Sequence, residues 1–290
     1  MRSSPRDVFV STTSFQTHDL ADIFRLCETH DIGAVELSVA KAWTLEMVRR
    51  EKNVRRLLVH NYFPPPENPF LLNLASQDAD NLRRSLDHCR AAIDLSAELG
   101  GAIYAAHGGF GMDLGTTLLG NPEAQKALSE DAFTPYERIY ATLVESTQAL
   151  CAYGRERGVR FLIENNVLSP LNGVHGRRLI PMAHPEELLR LVRDVGDPDF
   201  GLLIDVGHAN VSSNALQFDR NDFFATLSPH IAALHLSDND GVRDQNCAFD
   251  KSAWFVPYLK DFSDAVLTLE LNKLAPAQIL AVRTAVLESL

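Results

Sequence analysis

The chain has 290 residues, 46% of them hydrophobic, and a formal charge of −11 from 27 Lys plus Arg against 38 Asp plus Glu. This composition excludes disordered, collagen-like and coiled-coil architectures. The acidic balance also disfavours a nucleic-acid partner, because phosphate backbones are held mainly by Lys and Arg.

Cys27, Cys89, Cys151 and Cys247 are far apart and form no Cys-x-x-Cys pair, which is the pattern of reduced thiols in a cytoplasmic protein. Residues 1–7 are short and polar, with no apolar signal segment behind them. No stretch approaches the roughly 18 uninterrupted apolar residues that suggest a membrane span, so neither secretion nor membrane insertion is expected.

Taken in chain order, the first predicted strand is 8–12, followed by a helix over 19–30; the second is 34–38, followed by a helix over 44–50. The third, 57–61, ends in His60-Asn61 and leads through a turn-rich segment, 62–76 with Pro64-Pro65-Pro66, to a helix over 77–99. The fourth, 102–107, ends in His107-Gly108, and a long connection over 108–135 precedes a helix at 136–157. The fifth, 160–165, ends Glu164-Asn165-Asn166, with another long connection over 167–184 and a helix at 185–195. The sixth, 201–206, runs into Asp205-Val206-Gly207-His208, and its helix is expected at 223–227. The seventh, 231–236, carries His235 and is followed by a helix at 252–259; the eighth, 265–271, carries Glu270 before a final helix at 276–290.

Eight β-branched, apolar runs, each followed by a segment of helical period, predict a closed (β/α)8 TIM barrel. No linker or change of composition divides it, so a single domain over 1–290 is expected. The three long connections follow strands and therefore lie on the C-terminal face, as lid or pocket-wall candidates.

In such a barrel His60, His107, Glu164, Asp205, His208, His235 and Glu270 converge on one rim. Carboxylates so crowded repel one another, and a divalent cation relieves the conflict. Imidazole plus carboxylate suits Zn, Mn, Co or Fe(II). Glu36, at the end of the second strand, is either a partner behind this set or a packing residue. His18, His30, His88 and His230 read as surface or packing residues, while His175 and His184 stay open.

Arg177, Arg178, Arg243 and Lys273 stand near the expected mouth, either as holders of a phosphate or carboxylate or as solvated surface charges. Gly108-Gly109-Phe110-Gly111 has the wrong spacing for a phosphate cradle and lacks its lysine, so ATP and NAD are not suggested. A Gly-x-Ser-x-Gly elbow is absent, which argues against a serine hydrolase.

The runs Glu164-Asn165-Asn166, Asp205-Val206-Gly207-His208-Ala209-Asn210 and His235-Leu236-Ser237-Asp238-Asn239-Asp240-Gly241, followed by Glu270, resemble the xylose isomerase-like TIM barrel superfamily. That group includes sugar isomerases, ketose 3-epimerases, inosose dehydratases and apurinic-site endonucleases. The resemblance implies that Glu164, Asp205, His235 and Glu270 ligate one divalent metal (Mn, Zn, Co, Mg or Fe), with Glu164 and Glu270 also exchanging a proton beside a carbonyl. It makes His208 a substrate contact and leaves His60 and His107 as substrate contacts or as ligands of a second ion; Arg243 is a further substrate-binding candidate from its place near the mouth. Asp244 stands where the endonuclease branch has another ligand, but Asp244-Gln245-Asn246 replaces its Asp-x-His, and Asn is a poor zinc ligand.

The expected function is therefore a metal-dependent sugar or sugar phosphate isomerase or epimerase acting on a small sugar-like molecule. A phosphoester hydrolase or a keto-polyol dehydratase is the alternative. Barrels of this family often form homo-oligomers, although nothing in the sequence marks an interface.

Overall fold

Strands of a parallel barrel are buried on both faces, so every position favours an apolar or β-branched side chain. The strand sequences VFVS, AVEL, RLLVH, IYAAH, RFLIE, GLLID, IAALHL and VLTL largely follow that rule until their last inward position. In the computed structural model the elements run β1 (Val8–Ser11), α1 (Leu20–Thr29), β2 (Ala34–Leu37), α2 (Leu45–Glu51), β3 (Arg56–His60), α3 (Ala79–Leu99), β4 (Ile103–His107), α4 (Pro122–Lys126), α5 (Tyr136–Arg155), β5 (Arg160–Glu164), α6 (Gly176–Leu179), α7 (Pro185–Val195), β6 (Gly201–Asp205), α8 (Val206–Leu216), α9 (Asp222–Leu227), β7 (Ile231–Leu236), β8 (Val266–Leu269) and α10 (Pro276–Leu287). All eight strands pair in parallel in sequence order, and β1 closes on β8 with Val8 opposite Leu267. The result is the expected (β/α)8 barrel.

The structure describes residues 7–113 and 121–290. Residues 1–6 of the polar start and 114–120 of the long fourth connection lie outside the described residues, as do the side chains of His175 and Arg177.

Side chains alternate across each strand, and this divides the core in two. Val10, Val35, Leu37, Val59, Tyr104, Phe161, Ile163, Ile204 and Leu267 pack outward in the large cluster shared with the helices. Phe9, Ala34, Leu58, Ile103, Ala105, Leu162, Leu203 and Ala233 form a separate small cluster inside the barrel. Along the strands, the next inward layer is Ser11, Glu36, His60, His107, Glu164, Asp205 and His235. The apolar plug thus sits beneath a polar layer at the C-terminal rim.

Helix ends follow the local signals. Asp19 and Asp78 accept from first-turn N–H groups of α1 and α3, and glycines in the left-handed region, Gly100 (φ 76°) and Gly196 (φ 64°), end α3 and α7. Two expectations fail. Residues 252–259 do not form an α-helix: Pro257 disfavours it, and a short 3-10 turn, Val256–Asp261, stands there. The segment after Asp205, where no helix is expected before 223, is helix α8. Among the described residues no helix is long and apolar enough to cross a membrane, and the four cysteines are free.

Candidate metal centre

Four parallel strands end on the residues that matter most here. Glu164 and Asp205 close β5 and β6, His235 lies one residue before the end of β7, and Glu270 follows β8 directly. One ligand atom from each of Glu164, Asp205, His235 and Glu270 lies within 4.8 Å of all the others. His235 Nδ1 is 2.8 Å from Glu270 Oε2, 3.9 Å from Glu164 Oε1 and 3.9 Å from Asp205 Oδ2. Glu164, Asp205 and His235 are almost wholly buried.

Two further groups share members with this one. His107, Glu164 and His208 meet the same distance criterion, as do Glu36, His60 and His235. His60 Nε2 and His107 Nδ1 approach Glu164 Oε2 at 3.3 and 3.7 Å, while His208 Nδ1 is 3.5 Å from Glu164 Oε1. Glu164 is therefore central to the set, with histidines near both of its oxygens.

His208 reaches the rim because Asp205 caps α8. The Asp205 side chain accepts from the His208 N–H at 2.8 Å, which puts the imidazole on the first turn beside the strand end. Asn165 braces the same corner: its Nδ2 donates to the Asp205 carbonyl and its Oδ1 accepts from the Asp205 N–H. His208 Nδ1 donates to the Asn165 carbonyl at 2.9 Å, leaving Nε2 3.3 Å from Asp244 Oδ2. Sequence reasoning assigned no role to Asn165, whose only signal was its place next to Glu164.

Glu36 was left open between a partner and a packing residue, and its contacts decide for the first. His235 Nε2 donates to Glu36 Oε2 at 3.1 Å, and Thr268 Oγ1 donates to the same oxygen at 3.2 Å. A carboxylate behind a histidine fixes its ring orientation and leaves the other nitrogen facing the cluster.

The electrostatics follow from crowding. Burial opposes ionisation of Glu164, but the imidazoles of His107, His60 and His235 outweigh it and hold the carboxyl well below its usual range. Burial likewise opposes charge on Glu270, yet His235 brings it down to about 2. Asp205 goes the other way, to about 7, chiefly through burial, with Glu270, Asp244 and Glu164 adding to the rise against His208. Burial penalises the His235 cation, but Glu36 and Glu270 lift its pKa well above the ordinary histidine value.

Several atoms in this layer are buried without a hydrogen-bond partner: Glu164 Oε2, Asp205 Oδ2, Glu36 Oε1, His60 Nδ1 and His107 Nδ1. Unpaired buried polar atoms are costly, and here they belong to carboxylate and imidazole residues of three overlapping clusters. These residues fit a divalent cation in both donor chemistry and spacing.

Of the residues named from sequence, His60, His107, Glu164, Asp205, His208, His235 and Glu270 come together. Arg243 is exposed on the loop after β7, where its backbone N–H donates to Asp240 Oδ1. Asn246 Oδ1 accepts from Ser237 Oγ at 3.3 Å.

The family profile of the xylose isomerase-like TIM barrel matches residues 24–272. The chain belongs to this family. A known structure described as a D-tagatose 3-epimerase-like protein superposes on this xylose isomerase-like barrel with a TM-score of 0.72 at 18% identity, covering 98% of this chain and 96% of the other. A Thermus thermophilus protein soaked with ZnCl2 gives a TM-score of 0.62 at 22% identity over 97% of this chain and 98% of its own. Fructoselysine 3-epimerase of Shigella flexneri is 23% identical over 192 residues, 63% of this chain and 55% of that protein. The chain spans about half the length of the curated relatives it matches.

Proposed function

We propose that this xylose isomerase-like barrel is a divalent-metal-dependent epimerase or isomerase of a small sugar or sugar phosphate. The observation that carries the reading is the convergence of Glu164, Asp205, His235 and Glu270 within 4.8 Å on one buried layer. The sugar epimerases among its relatives and structural neighbours support it.

Glu164, Asp205, His235 and Glu270 would hold the ion. When bound, it supplies a Lewis acid that stabilises negative charge developing on substrate oxygens as a proton leaves the neighbouring carbon. Glu164 and Glu270 are the residues assigned to proton transfer. Their carboxyls are held ionised in the metal-free protein, the state in which an oxygen can accept a proton from carbon. Glu36 orients His235 from behind, and Asn165 orients both Asp205 and His208. His208, His60 and His107 line the remaining side of Glu164, where they would meet substrate hydroxyls. Burial removes bulk water from the Glu164 and Asp205 carboxylates, which are otherwise strongly hydrated. The four free cysteines agree with a cytoplasmic setting.

The experiment is a proton-exchange screen: metal-loaded protein is incubated in deuterated water with a panel of keto sugars, their phosphates and polyols. Label is expected at a carbon next to a carbonyl. Glu164→Gln and Glu270→Gln are each expected to slow exchange by roughly 10²–10⁴-fold while leaving the fold intact. Near-normal exchange in both variants would remove these residues from the mechanism.

A second reading has its own observation. Glu164 groups with His107 and His208 as well as with Asp205, His235 and Glu270, so His107 and His208 would be the residues to hold a second ion. Two-ion sites activate water for phosphoester hydrolysis. Two or more ions per chain, with phosphatase activity and no proton exchange, would favour that reading.

A further inference from the structure

The Gly108-Gly109-Phe110-Gly111 run after His107 makes a contact inside the protein. The single peptide group joining Gly109 to Phe110 is held at both of its polar atoms by buried side-chain amides. Asn166 Nδ2 donates to the Gly109 carbonyl at 2.9 Å, and the Phe110 N–H donates to Asn73 Oδ1 at 2.9 Å. Asn73 comes from the loop after β3 and Asn166 from the loop after β5, and both are buried. Gly109 sits at φ 85°, and a Cβ there would lie 2.4 Å from Asn73 Oδ1, so close approach and backbone conformation both require glycine.

Each asparagine is anchored in turn. The Asn73 N–H donates to Ser85 Oγ of α3 at 3.0 Å, and Asn73 Nδ2 donates to Asp113 Oδ1 at 3.2 Å. Asn166 Nδ2 also donates to the Pro181 carbonyl at 2.7 Å, while its N–H donates to the Met182 carbonyl at 3.0 Å. The loops after β3, β4 and β5 are thereby tied to one another. His107 lies two residues before the clamped peptide. Its Nδ1 makes no hydrogen bond, so at that atom nothing steers the ring, and its place follows from the β4 backbone and the turn behind it.

We propose that Asn73 and Asn166 are positioning residues: by clamping the Gly109–Phe110 peptide they hold His107 against Glu164 and His208 and fix this peptide as a preformed part of the site. The proposal rests on the reading of His107 as a site residue. Groups locked by a supporting layer of hydrogen bonds keep the geometry that a site needs.

The test uses the full chain, free of metal, with labelled histidines. The His107 and His208 rings lie 5.7 Å apart between centroids and the His60 and His235 rings 4.7 Å apart, so each pair should give a nuclear Overhauser contact. In Asn73→Ala the first contact is expected to disappear while the second and the far-UV circular dichroism persist. A folded Asn73→Ala protein that keeps the His107–His208 contact overturns the proposal. Should that variant not fold, Asn166→Ser is read in the same way, with the same two outcomes. Zinc is added only afterwards, so loss of the clamp and lack of an ion site give separate results.

Discussion

His235 has a carboxylate at each ring nitrogen, Glu270 at Nδ1 and Glu36 at Nε2. A cation can replace the proton on Nδ1 while Nε2–H stays on Glu36, which fixes the tautomer needed for ligation. Glu36→Gln keeps an acceptor oxygen but removes the charge that strengthens the imidazole as a donor. It is expected to weaken ion binding by roughly 10-fold or more without touching the four ligands, as measured by chelator competition. Unchanged affinity would reduce Glu36 to packing. Proton competition gives a second expectation at this scale. Asp205 keeps its proton up to about pH 7, and a ligand must lose its proton to bind a cation. Ion affinity should therefore rise as the pH climbs through about 7, since the competing proton is bound below the raised pKa and gone above it. An affinity that is flat or falls across this range, measured by titration calorimetry, would contradict the assignment. The ligand residues were legible because strand period 2 puts polar side chains at inward positions just past apolar ones. Glu36 could not be resolved from sequence, because its partners His235 and Thr268 are on strands far away in the chain.

Among the elements, α8 was missed, and its burial explains why. Val206 to Ser213 are all buried, so there is no polar face and no amphipathic stripe to read, and Gly207, Ser212 and Asn210 are modest helix formers. The one signal was Asp205, a strong N-cap residue already assigned as a ligand. The strands were placed within a residue or two because their apolar runs stop where the barrel ends. Gly207 gives α8 a direct test. A Cβ at that position would lie 2.7 Å from Ser237 Oγ, 3.1 Å from Asn239 Nδ2 and 3.1 Å from Asp205 Oδ1. Gly207→Ala is therefore expected to destabilise the fold by about 1–3 kcal/mol despite alanine's better helix propensity, and to weaken ion binding through Asp205. Denaturant unfolding checks the first effect and metal titration the second. A more stable variant with full affinity would mean the corner is looser than its contacts imply.

For the whole molecule, eight parallel strands bring residues as distant as Glu36 and His235, 199 positions apart, onto one rim, above an apolar plug that closes the barrel beneath them. The closed topology was legible in the alternation of strand and helix, and with it the convergence of the site. What sequence could not supply was the mutual geometry: that Glu164 has histidines at both oxygens, that Arg243 is exposed, and that the Gly109–Phe110 peptide is tied to Asn73 and Asn166. This layer is expected to bind a divalent cation. The most direct test is equilibrium dialysis of chelator-stripped protein against zinc or manganese, with elemental analysis of the native chain beside a Glu164→Gln and Asp205→Asn double variant. At least one ion per chain is expected in the native protein and essentially none in the folded double variant. Equal retention by both, or none by the native chain, would mean that this layer is not an ion site.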